Sequence, residues 1–391
     1  IDAHAHVMGL GFALRQADLS ATTSLEQALA QLRDYAAARP DAPWLLGRGW
    51  NQVRWRLGRF PTAVELDRAV ADRPAWLARV DGHAGWANHA ALALAGIDAD
   101  TPDPAGGRIE RDADGNPTGI LIDAAMELVQ AKIPPPDAAE SGAALAAALA
   151  TMASVGITSV HDAGIDAATY ALYLAQADAG RLTARIYAMI GGTGEDFDRI
   201  AAAGPLLAHG NDFLTVRSVK LYADGALGSR GAALLAPYSD DPHNRGLLFH
   251  DPEQMLAMLG KALSRGYQAN VHAIGDGGNH LVLDAFSRAY ALHGGRELRN
   301  RIEHAQVLAP DDIPRFLPLR LIASMQPTHA TSDMNMAEDR LGPERLRGAY
   351  AWQRFARQGT VIAGGSDFPV ESPNPLFGLH AAITRQDHAG Q

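Results

Sequence analysis

The sequence contains no cysteine, which excludes disulfides, iron–sulfur clusters and zinc sites built from thiolates. Any metal bound by this chain must therefore take nitrogen and oxygen ligands. The sequence also lacks an apolar run long enough to span a bilayer, and it lacks a basic and then apolar leader at its start. Because Ile1 is not an initiator residue, we expect the natural protein to begin further upstream, which leaves a signal peptide open.

Positive charge is scarce as well. The chain has 34 lysines and arginines against 44 aspartates and glutamates, and its formal net charge is −10. This balance argues against nucleic acid or an anionic membrane as a partner, so a small-molecule substrate is the better expectation. We expect a cytoplasmic protein, with the periplasm as the alternative, and the composition leaves a homo-oligomer open.

A unit of helix, glycine and strand recurs along the chain. An alanine-rich helix over 138–155 ends at Gly156 and is followed by the strand-like segment 157–162. The same order recurs over 252–274 and 350–364, and the glycines suit the left-handed position that closes a helix. With the opening segment and weaker repeats, the predicted strands cover residues 1–7, 157–162, 184–190, 218–223, 267–274, 300–307, 321–326 and 360–364.

Eight such units predict an α/β fold, a (β/α)8 TIM barrel whose active site lies at the C-terminal ends of the strands. A first helix is expected from Leu25 to about Pro40. The segment between that helix and the second strand is far longer than usual connections, which predicts a small subdomain inserted between strands one and two. We therefore expect the barrel in residues 1–40 and 137–391, and an inserted subdomain in 41–136 that caps the barrel mouth.

Polar residues fall at the predicted strand ends. His4 and His6 alternate along the first strand, so they face one side and can share a metal ion, although packing explains many such pairs. Lys220 is expected to point into the barrel, where it needs a carboxylate partner, a lowered pKa or conversion to a carbamate that bridges two metals. His272 and His304 each end a strand and, taken singly, are better explained by a structural role than by metal binding. The last strand leads to Asp367, for which a helix N-cap is the alternative.

The order of these residues resembles that of the amidohydrolase superfamily, and within it the YtcJ-like branch, also called the amidohydrolase-3 family. The resemblance covers nearly the whole chain. The family usually carries a small β-sandwich built from segments flanking the barrel, and we expect this chain to be a trimmed version without it. The supporting segments are residues 1–9, 81–88, 219–230, 271–276, 301–306 and 364–369.

The resemblance implies a metal-dependent hydrolase of non-peptide carbon–nitrogen bonds, in N-acyl, N-formyl or cyclic amide compounds. In that mechanism the metals polarise the carbonyl, a bridging hydroxide attacks it, and Asp367 carries a proton towards the leaving amine. Zinc suits the ligands best, with iron or manganese as alternatives, and one or two ions are expected. The implied metal ligands are His4, His6, His272, His304 and Asp367, with Lys220 as a carbamylated bridge.

Residues expected at the barrel mouth are candidates for substrate binding, although a structural role is equally expected for each. A neutral pocket lined by Trp86 and Tyr222 would suit an aromatic or apolar acyl group. An Arg230 without a protein partner would instead suit a carboxylate. The full set of candidates is His83, Tyr222, Asp224, Arg230 and His329.

Two other functions remain open at this point. A barrel with a single metal ion, in which Lys220 is an ion-pair partner, would remove ammonia from an amino-substituted ring or an amidine. A barrel that keeps its ligands without catalysis would be a metal-binding protein, but buried histidines and a buried lysine are costly to keep without a metal.

Overall fold

The computed structural model of the chain describes residues 1–80, 82, 84–104, 106–387 and 389–391. The chain divides into two compact units, one made of residues 1–10 and 148–391 and the other of residues 11–147. The predicted inserted segment, 41–136, lies within the second unit. In the described part of the chain, no helix is both long and apolar enough to cross a membrane.

The first unit contains the predicted barrel. Eight parallel strands follow one another in chain order, and each pairs with the next. The first, fifth, sixth and seventh of these strands are almost wholly buried on both faces, which is typical of a parallel sheet covered by helices. All eight predicted strands are confirmed. They are Asp2–Ala5, Ser159–Ile165, Arg185–Gly191, Leu214–Tyr222, Gln268–Ala273, Arg301–His304, Ile322–Met325 and Ile362–Gly364.

The helix, glycine and strand units are also present. Gly156, Gly266 and Gly359 follow helices and have φ values of +78°, +76° and +84°, the left-handed conformation that the sequence predicts. A short strand, Leu206–Ala208, pairs antiparallel with the fourth barrel strand. The α-helices of six or more residues wholly within this unit are Ala167–Asp178, Glu195–Ile200, Pro252–Ser264, Asp276–His293, Pro327–Ser332, Ala337–Arg345, Trp352–Gln358 and Pro375–Thr384.

Backbone hydrogen bonds close the barrel between the first strand and the loop after the eighth. His6 N donates to Phe368 O and Asp367 N donates to His4 O, both at 2.8 Å. We call this contact the seam. It places residues from the two ends of the unit next to each other.

Side chains reinforce the seam. The buried Asp2 carboxylate accepts a hydrogen bond from Ser366 Oγ at 2.6 Å and others from the Ser366 and His4 backbone N–H groups. At Gly365 a Cβ atom would lie 2.5 Å from His4 N, a distance that real Cβ contacts do not reach. The two chain segments therefore approach this closely only because residue 365 is glycine.

The second unit is built on a six-stranded sheet that begins with parallel pairs and continues with antiparallel ones. Helix Leu25–Ala37 begins after the N-cap Ser24 and packs its buried face into the core of this unit, although the sequence grouped it with the barrel. The other helices here are Ala63–Asp67, His89–Ala95 and Glu127–Gln130, and Val7–Leu14 and Ala138–Ser154 span the unit boundaries. The strands in sheet order are Ala17–Asp18, Leu45–Trp50, Ala75–Arg79, Ala84–Ala87, Pro117–Asp123 and Gly107–Arg111.

The structure corrects the expectation for Trp86. Its side chain is fully buried in the core of the second unit, beside Trp50 and Trp55, and its indole N–H donates to Thr62 O. A tryptophan buried on all sides has no surface left to line a substrate pocket. The sequence of the short strand Ala84–Ala87 does not show which of its two faces packs into the core.

The close approach at the seam predicts the effect of one added methyl group. We expect Gly365→Ala to lower the free energy of unfolding by roughly 1–3 kcal/mol, because the new Cβ overlaps backbone that cannot move aside easily. Gly364→Ala is the matched control, since a Cβ there meets nothing within 4 Å. Urea denaturation followed by circular dichroism measures both, and equal midpoints for the two variants would contradict a tightly packed seam.

Candidate metal centre

Three predicted ligands meet at the seam. His6 Nε2 lies 3.1 Å from Asp367 Oδ1, and His4 Nε2 lies 3.5 Å from the same oxygen. One ligand atom from each residue lies within 4.8 Å of the others, a spacing that a single metal ion can bridge. His4 is fully buried, whereas the His6 side chain is 33% exposed. The cluster is therefore open to solvent on the His6 side.

Asp367 also belongs to a second group. Its Oδ2 lies 3.6 Å from His329 Nε2, and His304 completes a set whose ligand atoms again lie within 4.8 Å of one another. The rings of His304 and His329 are stacked, with centroids 5.7 Å apart. The sequence placed His329 among the substrate contacts, and the structure puts it beside a potential ligand group. Asp367 is common to both groups.

The backbone is left-handed at two of these residues. His304 has φ +71° and Asp367 has φ +63°, a region that residues other than glycine seldom adopt and that is frequent at functional sites. In a regular strand Glu303 and His304 would face opposite sides. Because the sixth strand ends in this conformation, Glu303 bonds His4 while the His304 ring lies 4.8 Å from the His4 ring.

Two of the histidines have one ring nitrogen fixed by a hydrogen bond. His4 Nδ1 donates to Glu303 Oε2 at 2.5 Å, and His304 Nδ1 donates to Gln326 Oε1 at 2.8 Å. Since a neutral imidazole carries one proton, each Nε2 keeps a lone pair for a metal. Sequence analysis missed Glu303 and Gln326. The signal for Glu303 was a carboxylate directly before a histidine in an otherwise buried strand.

Arg301 extends this network. Its Nε donates to Glu303 Oε1 at 2.6 Å and its Nη1 donates to His161 Nδ1 at 2.7 Å. Burial opposes ionisation of Glu303, but Arg301 holds the pKa of that carboxyl well below its ordinary value. Burial, and then the charge of Arg301, lowers the pKa of His161 to about 4. His161 is therefore neutral near neutral pH and accepts the hydrogen bond.

Lys220 lies inside the barrel, as predicted, and is 1% exposed. Its Nζ is 3.4 Å from His4 Nε2 and 4.7 Å from the centroid of the Tyr222 ring. Burial lowers the pKa of Lys220 to about 8, although Glu303 and Asp367 act in the opposite direction. A neutral amine is therefore accessible at moderately alkaline pH.

His272 lies beside the cluster. Its ring centroid is 4.6 Å from that of His304, while its Nε2 lies 3.4 Å from Gly225 O and 3.6 Å from Asp224 Oδ1. Burial, and then the charge of Lys220, lowers the pKa of His272 to about 3, so the ring is neutral. Its role as a metal ligand stays a prediction.

The residues present fit a divalent metal ion. Burial lowers the pKa of His4 to about 4, so its imidazole is neutral and can bind a metal. Burial opposes ionisation of Asp367, but His6 and His4 hold its pKa below the ordinary value. Asp367 Oδ1 and His329 Nε2 are buried without a hydrogen-bond partner, which is costly. A metal ion bound at Asp367 would satisfy its Oδ1 atom.

The predicted substrate-binding residues differ in their exposure to solvent. Tyr222 is 39% exposed and its ring lies 5.4 Å from the His272 ring. Asp224 is fully buried and holds the loop that follows the fourth strand, and its contact with substrate stays a prediction. His83 lies outside the described residues. The backbone N–H groups that donate to the Asp224 carboxylate are those of Ala233, Ile274 and Gly275.

Arg230 has a protein partner. Its Nε and Nη2 donate to the two oxygens of Asp240 at 3.2 and 2.8 Å, and Arg340 also donates to Asp240. The condition under which Arg230 would suit a substrate carboxylate, a guanidinium without a protein partner, is therefore not met. Asp240 lies 10 residues along the chain from Arg230, and local sequence patterns do not reveal this pairing.

A cavity of about 350 Å³ opens beside His6. Asp162 lines this cavity, but both of its carboxylate oxygens already accept hydrogen bonds, one from Val7 N and one from the Tyr173 hydroxyl. The cavity therefore offers a mainly neutral surface next to the cluster. Besides His6 and Asp162, its lining includes Met8, Ile165, Thr169 and Pro369.

Buried histidines and an aspartate at the C-terminal ends of barrel strands define a candidate metal-dependent hydrolase, and comparison with known proteins supports this class. The sequence profile of the Amidohydrolase family matches residues 1–391, the whole chain. The chain is 35% identical to the YtcJ amidohydrolase of Bacillus subtilis (strain 168) over 99% of its own length and 72% of that protein. The chain belongs to the Amidohydrolase family, which confirms the resemblance predicted from the sequence.

Two further matches are informative. The N-substituted formamide deformylase of Arthrobacter pascens is 27% identical, over 100% of this chain and 73% of that protein. An uncharacterized metal-dependent hydrolase from Pyrococcus furiosus superposes with a TM-score of 0.82 at 27% identity, over 98% of this chain and 75% of that one. This structure confirms the predicted barrel fold and supports hydrolase activity.

The state of His161 predicts a pH dependence. Its pKa is about 4 in the folded protein and about 6.5 when unfolded, so the unfolded chain binds more protons between these values. The free energy of unfolding that the neutral His161 contributes is fully present above pH 6.5 and is lost as the pH falls towards 4. In metal-free protein, we expect His161→Gln to remove roughly 1.5 kcal/mol of the stability difference between pH 6.5 and pH 5. Glutamine keeps an acceptor for Arg301.

Urea denaturation at the two pH values measures this difference. The control is His243→Gln, which replaces an exposed histidine and should keep the wild-type pH dependence. If His161→Gln left the wild-type pH dependence intact, His161 would not be held neutral in the folded state.

Proposed function

We propose that this protein is a metal-dependent hydrolase of a non-peptide carbon–nitrogen bond in an N-acyl or N-formyl compound. The observation that carries the proposal is Asp367, whose carboxylate lies between two histidine groups, with Oδ1 3.1 Å from His6 Nε2 but without a hydrogen bond. Such a carboxylate can bind a metal and transfer protons. Membership of the Amidohydrolase family and the likeness to a metal-dependent hydrolase support the hydrolase class.

Zinc is the metal that the donor set suits best, because every proposed donor is an imidazole nitrogen or a carboxylate-type oxygen and zinc accepts both. When bound, a divalent ion supplies Lewis acidity to a carbonyl group and lowers the pKa of water. The protein residues that we propose as ligands are His4, His6, His272, His304 and Asp367.

Lys220 would join two ions as a carbamate. Its neutral amine adds carbon dioxide and releases one proton, which leaves a carboxylate on Nζ. The lowered pKa of Lys220 favours the neutral amine that this step needs, and the position of Nζ near His4 Nε2 supports a bridging role. Without the carbamate the site would hold one ion.

Two residues of the chain have proposed roles towards the substrate. Asp367 accepts a proton from the attacking water at its carboxylate and delivers it to the nitrogen of the leaving amine. Burial raises the pKa of Tyr222, so its hydroxyl stays protonated and can donate to the carbonyl oxygen. A Cβ built on Gly164, which lines the cavity beside His6, would lie 3.5 Å from the Tyr222 hydroxyl oxygen. The hydroxyl is thus close to the proposed substrate cavity.

The substrate we favour has a neutral, apolar substituent next to the amide. The cavity beside His6 has a mainly apolar lining, and Arg230 is engaged by Asp240. The similarity to a protein named N-substituted formamide deformylase supports the same substrate class. N-substituted formamides are therefore the first compounds to assay.

We expect zinc-loaded protein to hydrolyse an N-substituted formamide to formate and the free amine. A chelator should abolish this activity and added zinc should restore it. Asp367→Asn should lower kcat by about 10²–10⁴-fold, because the amide cannot shuttle the proton. Measured formate release checks both effects, with Asp178→Asn on the surface as the matched control that keeps wild-type activity.

Two outcomes would contradict the proposal. Wild-type kcat in Asp367→Asn would remove Asp367 from the chemistry. Release of ammonia from an amino-substituted ring or an amidine, with no hydrolysis of any formamide or N-acyl compound, would point to the deaminase alternative instead.

A further inference from the structure

We propose that Arg301 and Glu303 form a positioning pair that fixes the tautomer of His4, so that His4 Nε2 always presents its lone pair to the metal. The inference rests on the proposed function only in taking His4 as a metal ligand. It assigns a task to two buried charges that the hydrolytic mechanism does not otherwise use.

The first step is that Glu303 has no free oxygen. Oε2 accepts from His4 Nδ1 at 2.5 Å, and Oε1 accepts from Arg301 Nε at 2.6 Å. Glu303 and His4 are both fully buried, so water does not compete for these hydrogen bonds. An ionised carboxylate is an acceptor at both oxygens, which means that it can serve two donors at once.

The second step is that Arg301 cannot change its role. A guanidinium stays protonated in proteins and has donors only, so it always requires acceptors. Its other nitrogens are held by further acceptors, which fixes the direction of Nε. Those acceptors are Ala3 O, His161 Nδ1 and Ser324 Oγ.

The third step concerns the other nitrogen of His4. Lys220 Nζ, which as an amine or ammonium can donate, lies 3.4 Å from His4 Nε2. Asp367 Oδ1 lies 3.5 Å from the same nitrogen but forms no hydrogen bond with it. A donor beside Nε2 and an acceptor beside Nδ1 both favour the tautomer with its proton on Nδ1.

These constraints predict what an isosteric amide would do. In Glu303→Gln the side chain has one acceptor and one donor. Because Arg301 can only donate, it takes the glutamine oxygen, and the amide N–H₂ then faces His4 Nδ1. His4 can accept that hydrogen bond only by moving its own proton to Nε2, and a protonated Nε2 cannot bind a metal.

The test combines a spectroscopic readout without metal and a binding measurement with metal. In the metal-free protein labelled with ¹⁵N-histidine, NMR should show the Nδ1–H tautomer for wild-type His4 and the Nε2–H tautomer in Glu303→Gln, with the signal assigned from His4→Asn. Zinc affinity, measured by competition with a chelator, should fall about 10–100-fold in Glu303→Gln.

Two variants sharpen the test. Glu253→Gln removes a carboxylate that also forms two hydrogen bonds with an arginine, Arg288, but at the surface, and it should change neither readout. Adding Arg301→Met to Glu303→Gln frees the amide to turn its oxygen to His4. The Nδ1–H tautomer should then return, and zinc affinity should recover at least in part.

The proposal is overturned if wild-type His4 carries its proton on Nε2 in the metal-free protein, a result that needs no variant to fold. It is also overturned if Glu303→Gln keeps both the Nδ1–H tautomer and wild-type zinc affinity. Because the tautomer is read without metal or substrate, a protein that shows the tautomer change but hydrolyses no amide would contradict the proposed function alone.

Discussion

Two backbone hydrogen bonds, from His6 N to Phe368 O and from Asp367 N to His4 O, close the barrel and assemble its site in the same contact. The ligand cluster depends on this seam, because His4 and His6 come from the start of the chain and Asp367 from near its end. Gly365 permits the approach, and Asp2 holds it through Ser366. The contact that closes the barrel therefore also sets the geometry of the site.

Beside the seam, hydrogen bonds from neighbouring side chains fix one ring nitrogen of two candidate ligand histidines. Arg301 compensates Glu303, Glu303 orients His4, and Gln326 orients His304. The atoms that remain without hydrogen-bond partners include Asp367 Oδ1 and His329 Nε2, which belong to the two possible ligand groups. Buried polar atoms without hydrogen bonds are costly, and at these two positions a bound metal ion would remove part of that cost.

Local patterns predicted the eight strands and the order of histidine, lysine and aspartate along them, because helix, glycine and strand periodicity is encoded within short segments. The neighbours of those residues could not be predicted in the same way. The contact of Glu303 with His4 arises where His304 adopts a left-handed backbone, and Arg230 pairs with Asp240, an acceptor that it shares with Arg340 a hundred residues further along the chain. The burial of Trp86 likewise depends on the packing of a whole sheet. Sequence thus supplied the candidate ligands, while the residues that hydrogen-bond to them required three-dimensional structure.

The central claim is that the seam holds a metal. Anomalous X-ray diffraction at the zinc edge, from crystals grown with zinc and bicarbonate, tests it most directly. The account predicts a peak about 2.0–2.2 Å from nitrogen atoms of His4 and His6 and from an Asp367 oxygen. A second peak, joined to the first by extra density on Lys220 Nζ, would establish the carbamate-bridged pair. An anomalous map without a peak at the seam, from protein that binds zinc elsewhere or not at all, would contradict the account.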